Sequence, residues 1–186
     1  MTGDGLLRAR FAALMLIGAS GAQLLASGAA AVERYDAAVC VAVLGTLGWL
    51  PALHGLEHFL KRRNELLSLA ALAAGTIGVI AIVCASARAS AEAPGAAPAW
   101  PWTWILAARV LLPTSLAVFG VALATQHLLP VWAAAALGAG SVVQALNWTG
   151  VLSLPATVDQ ALVFLGATWL GARLLLDPEG WRRGTP

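Results

Sequence analysis

AAVCVAVLGTLGWLPALHGLEHFLKRR, residues 37–63, reads as a membrane-crossing helix that ends in charge. Ala37 to Leu53 carries no charged residue, and the apolar run extends to Leu60, beyond the roughly 20 residues that cross about 30 Å of hydrocarbon. Lys61, Arg62 and Arg63 then mark where the helix leaves the lipid. Just before them, His54, Glu57, His58 and Lys61 recur at i, i+3, i+4 and i+7, which places them on one helical face. Pro51 lies upstream of His54, removes a backbone hydrogen bond and can bend the helix.

The rest of the chain repeats the first half of that pattern. Apolar segments run over Phe11–Gly28, Ala37–Leu60, Leu66–Ser86, Trp104–Thr125, Val131–Val151 and Gln160–Leu176, separated by short polar or proline-bearing breaks. Only 11% of the 186 residues are charged and 60% are hydrophobic, with a mean hydropathy of +0.81. A soluble domain carries about 25% charged residues, so the expectation is an all-α integral membrane bundle of six transmembrane helices forming a single domain over residues 1–186. The first segment continues past any signal-peptide core and reads as a retained helix. A formal net charge of +2, scattered along the chain, excludes nucleic-acid binding as an expectation. The Ala, Gly and Arg bias with a single lysine points, on composition alone, to a bacterial source with a GC-rich genome.

Arg8, Arg10, the Lys61–Arg63 run, Arg182 and Arg183 fall on one side if six helices alternate. The positive-inside rule then puts both termini and the His54–His58 stretch in the cytoplasm, in a cell-membrane protein. Trp100, Trp102 and Trp104 would form an outer interfacial belt, with Trp132 and Trp181 near the inner one. Cys40 and Cys84 would lie at similar depth in an antiparallel hairpin; two buried, apolar thiols are expected there rather than a disulfide. Leu44-Gly45 and Ala52 to His54 are echoed by Leu137-Gly138 and Ala145 to Asn147, and Ala9-Arg10 by Ala108-Arg109. Two halves of three helices related in this way would have inverted topology, as in some transporters.

His54, Glu57 and His58 spell H-x-x-E-H, which resembles the signature of the inverted zinc metallopeptidases. That resemblance covers five residues, and the family's further acidic ligand is missing, since no carboxylate lies between Glu92 and Asp159. No cofactor is therefore expected; the one alternative is a divalent metal shared by His54, His58 and His127. Without metal, the same three residues, His54, Glu57 and His58, are the candidate catalytic groups, because imidazole and carboxyl can exchange a proton. The competing reading makes them the solvated end of a helix.

A second polar set belongs to the opposite membrane face. Arg109 lies within the fourth segment, and an arginine in the bilayer seeks partners. Gln144, Asn147 and Trp148 of the fifth segment and Asp159 of the sixth stand at comparable depth, so Arg109–Asp159 is the expected ion pair. Together with His127, these are the candidate substrate-binding residues: Arg109, His127, Gln144, Asn147, Trp148 and Asp159. The sequon at Asn147 to Thr149 lies inside an apolar segment and is not read as a glycosylation site. The functional expectation is an acid–base enzyme, of cyclase or isomerase type, acting on an isoprenoid or other lipid-soluble substrate. Alternatives are a small-molecule or ion transporter with a 3+3 inverted repeat, and a non-catalytic accessory subunit. The expected partners are the lipid bilayer and a hydrophobic small molecule, with oligomer or partner subunits left open.

Overall fold

The computed structural model describes residues 3–31, 35–60, 65–91, 102–125 and 130–176. They form six helices: α1 (Gly3–Ala31), α2 (Tyr35–Leu60), α3 (Glu65–Ala91), α4 (Trp102–Thr125), α5 (Val131–Trp148) and α6 (Ala156–Leu176). Each helix packs on its neighbours in the chain and α6 packs back on α1, so the helices close into a ring. The all-α expectation holds. Four helices have spans long and apolar enough to cross a membrane: Leu6–Ala30, Ala37–His58, Glu65–Ser86 and Thr157–Leu176. α4 runs for 24 residues with Arg109 as its one charged side chain, and α5 has only 18 residues, among them Gln144 and Asn147.

Leu16, Trp49, Leu53, Leu112, Phe119, Leu137 and Leu170 fill the interior of the ring and are fully or almost fully buried. The exterior is also apolar, with Leu7, Leu25, Leu44, Leu66, Ile80, Val121 and Leu165 exposed. Helices that are apolar on every side suit lipid as solvent, and there association depends on close packing between small residues. The α1–α2 seam shows this most clearly. A methyl group on Gly55 would collide with the Ala12 methyl, and one on Gly48 would lie 3.1 Å from Ala19 Cβ. On the far side of the ring, Ser115 Oγ donates to the Ala71 carbonyl at 2.6 Å and ties α4 to α3. Trp132 and Trp169 meet edge-on, with ring centroids 5.0 Å apart, linking the start of α5 to the second half of α6.

Both cysteines are free and exposed on the bundle. The expected burial of the thiols is thus corrected: Cys40 and Cys84 occupy outward faces, where lipid serves an apolar thiol as well as a protein core does. Trp100, Trp181, Arg182, Arg183, His127 and Lys61 to Arg63 lie outside the described residues.

Candidate functional site

The structure separates the polar residues into two sets at opposite ends of the α1–α2 hairpin. At the end where α1 starts and α2 finishes, a groove of about 500 Å³ takes its polar lining from Arg8 of α1 and His54, Glu57 and His58 of α2. Its apolar floor is Ala9, Phe11, Ala12, Pro51 and Gly55. Helical spacing puts the His/Glu set on one face, and the missing side chain at Gly55 lets α1 approach closely enough to bring Arg8 alongside. His54 and His58 are exposed, Glu57 is half-buried, and Leu7, Phe11 and Leu14 are exposed nearby on α1. The groove therefore opens sideways to the exterior of the bundle.

His54 Nδ1 lies 3.1 Å from the carbonyl oxygen of Leu50, one turn earlier. A carbonyl only accepts, so Nδ1 carries the proton in that bond, and Nε2 of the neutral ring is left as a proton acceptor. Glu57 and His58 flank it on the next turn. A proton acceptor and two groups able to carry a proton, set against an apolar floor, are the elements of general acid–base chemistry. Among the described residues no three of His, Cys, Asp and Glu gather as a metal site requires.

The other end is built differently. Asn147 sits in the last turn of α5; its Nδ2 donates to the Leu154 carbonyl at 3.0 Å, and its Oδ1 accepts from the Leu154 amide at 3.1 Å. This clamp closes the α5–α6 connection, helped by Gly150, whose φ of 80° is the left-handed conformation that ends many helices. The polar side chain that spoiled the fifth apolar segment thus has a structural task. Arg109 Nη1 donates to the Trp148 carbonyl at 3.1 Å, the last carbonyl of α5, at the negative end of the helix dipole; turn amides bond the three carbonyls before it. Asp159 is fully buried in the first turn of α6, where the backbone N–H groups of Asp159 and Gln160 and the Asn147 amide face its carboxyl. The expected Arg109–Asp159 ion pair is corrected accordingly: the guanidinium donates to the Trp148 carbonyl at the C-terminus of α5 instead.

A second cavity, of about 330 Å³, lies at this end between α1, α2, α6 and Trp148. Its polar lining is Gln23, Ser27, Thr46 and Gln160, of which sequence reading singled out none as a site residue. Gln23 could have been found as the one amide within the first apolar segment. Gln144 is buried on α5 and, like Arg109, Asn147 and Asp159, does not line this cavity.

The two cavities share no residue. Thr46 and His54 are eight positions apart on α2, about 12 Å along the axis, and Leu16, Ala19, Trp49 and Leu53 occupy the interior between them. His54, Glu57 and His58 therefore come together, while Arg109, Asn147, Trp148 and Asp159 stand with the other end of the bundle.

No family model matches the chain, and neither curated proteins nor solved structures match it.

Proposed function

We propose that this protein is a membrane-embedded acid–base enzyme that isomerises an isoprenoid or other lipid-soluble substrate in the α1–α2 groove. The observation that carries this reading is the convergence of His54, Glu57, His58 and Arg8 on one groove with an apolar floor. A substrate dissolved in the bilayer reaches such a groove laterally, without crossing water. His54 Nε2 takes a proton from one carbon, and the Glu57/His58 pair returns a proton to another carbon of the same molecule. The double bond shifts and the atoms balance without a co-reactant. Cation-driven cyclisation is the weaker variant, because aromatic faces stabilise a carbocation and Phe11 is the single aromatic residue in the described lining. The groove is placed at the cytoplasmic face, with both termini inside, on the distribution of Lys and Arg.

The test is lipid and terpenoid profiling of cells expressing wild-type protein or Glu57→Gln, which removes the ionisable group at nearly constant volume. A species formed only with wild type should fall by roughly a hundredfold or more, the scale of losing a general acid or base. Lys61→Gln should leave it unchanged. Identical profiles for wild type and Glu57→Gln overturn the reading.

One observation favours a transporter as the second reading: two cavities at opposite ends of one hairpin, divided by an apolar waist. In addition, Gly45 of α2 faces α1 at Ala19 and Ala22, and its counterpart in the faint repeat, Gly138 of α5, faces α4 at Ala117. Conversion of substrate by purified protein in detergent, where no compartment exists, distinguishes the enzyme from the transporter.

A further inference from the structure

The α1–α2 groove brings a cation, Arg8, to the proton-carrying groups of α2. An imidazole removes a proton from carbon only where the electron pair left behind can move onto a more electronegative atom. A plain alkene offers no such atom. The opposite route, through a carbocation, wants aromatic faces, and Phe11 is the single one in the described lining. A carbonyl group conjugated with the double bond removes the difficulty, because the electron pair ends on oxygen, where a hydrogen-bond donor can hold it.

Arg8 fits the part of that donor. It lines the groove, and among the described residues its guanidinium has neither an ion pair nor a hydrogen bond, so its N–H groups are available. The helix seam fixes its level. Gly48 of α2 faces Ala19 of α1, and Gly55 faces Ala12, so seven residues back along α1 match seven forward along α2. One turn further on, Arg8 stands within a residue of the level of His58. His54 lies one turn deeper, about 6 Å along the axis. The order along the groove is therefore Arg8, then Glu57 and His58, then His54. An unsaturated carbonyl compound presents its reacting atoms in the same order: oxygen, α-carbon, γ-carbon.

We propose, resting on the acid–base reading of this groove, that the substrate is a lipid-soluble α,β-unsaturated ketone or aldehyde whose carbonyl oxygen is bound by Arg8. His54 Nε2 takes a proton from the γ-carbon. The C–H electron pair forms a double bond between the β- and γ-carbons, the old double bond moves to the carbonyl carbon, and the charge settles on the oxygen at Arg8. The Glu57/His58 pair then protonates the α-carbon and the carbonyl re-forms. One proton leaves the substrate and one enters, and nothing is oxidised or reduced. The same groups run the reaction backwards, so the relative stability of the two isomers sets its direction.

The experiment uses the full chain in phosphatidylcholine nanodiscs in deuterium oxide, with a long-chain α,β-unsaturated methyl ketone as probe. Nuclear magnetic resonance reads deuterium uptake at the γ-carbon. Wild-type protein should label that carbon, and Arg8→Gln should slow labelling by about a hundredfold or more, the scale of losing an oxyanion donor. Arg8 is exposed, so the substitution leaves the packing intact, and Arg8→Lys, which restores a cationic donor, should recover part of the rate. Arg10 is also exposed on α1 and does not line the groove; Arg10→Gln removes the same charge and should leave labelling unchanged. Octylphenol, a stable mimic of the enolate, gives a readout without turnover: it should ionise about tenfold more readily with wild type than with Arg8→Gln. Absence of labelling by wild type overturns the carbonyl substrate, and lipid profiling with Glu57→Gln still decides the acid–base reading. Labelling that Arg8→Gln leaves unchanged, or slows no more than Arg10→Gln does, overturns the role of Arg8 while the groove remains an acid–base site.

Discussion

Replacing Gly55 by alanine tests the packing that creates the candidate active groove. The Cβ of an alanine there would collide with the Ala12 methyl and lie 3.5 Å from Ala12 Cα. Neither methyl has a rotamer to escape into, and Ala12 is 2% exposed, so relief requires α1 and α2 to separate. Overpacking of a tight site costs about 1–3 kcal/mol, and a rigid pair belongs near the top of that range. The better helix propensity of alanine returns about 1 kcal/mol, leaving a net loss of about 1–2 kcal/mol. Two other glycines calibrate the scale. A methyl added at Gly18 would meet nothing within 4 Å, so Gly18→Ala keeps the propensity gain and should stabilise by about 0.5–1 kcal/mol. Gly48→Ala meets Ala19 Cβ at 3.1 Å; a shift of a few tenths of an ångström accommodates it, and the two terms nearly cancel. Reversible unfolding of the purified protein in mixed detergent micelles, titrated with sodium dodecyl sulfate, gives the three values on one scale. Ala12→Gly should recover most of the loss in Gly55→Ala, because it removes the colliding atom and the two sites are directly coupled. Equal stabilities for Gly55→Ala and Gly18→Ala, or no recovery from Ala12→Gly, would refute this account of the seam.

Further outcomes follow from the other end of the bundle. Asn147→Ala loses both hydrogen bonds to Leu154 and should destabilise by about 1–2 kcal/mol, with faster hydrogen exchange at Leu154 as the local readout. Arg109→Gln and Asp159→Asn, measured singly and together in the same unfolding assay, should be additive within about 0.5 kcal/mol, since Arg109 bonds the Trp148 carbonyl; a coupling well above that restores the ion pair.

The helices were legible because the bilayer demands long apolar runs, and among the described residues four helices carry spans long and apolar enough to meet that demand. The groove was legible for a similar reason. His54, Glu57 and His58 lie on one helix, and helical spacing alone fixes their common face. Arg8 was counted only as a positive charge, because its proximity depends on how α1 lies against α2. That approach is set by Gly55 and Ala12, whose significance appears only when the two helices are placed together.

The mispairing of Arg109 with Asp159 has a different physical origin. Position along a helix gives depth in the membrane, and by depth the two residues match. Depth leaves rotation about the helix axis undetermined, and rotation decides which neighbour a side chain meets. An inventory of side chains also omits the backbone acceptors present at that level. Amides of the turn through Gly150 bond the Ala145, Leu146 and Asn147 carbonyls of α5, and the Trp148 carbonyl is left within reach of Arg109 on α4. A guanidinium needs oxygen atoms in the right geometry, and a helix C-terminus supplies such oxygens with about half a negative charge behind them. For polar residues near the ends of membrane helices, the unsatisfied backbone should therefore be counted as a partner before any carboxylate is assigned. On that basis Asp159, buried in the first turn of α6, is served by the free backbone N–H groups there and by Asn147 rather than by Arg109.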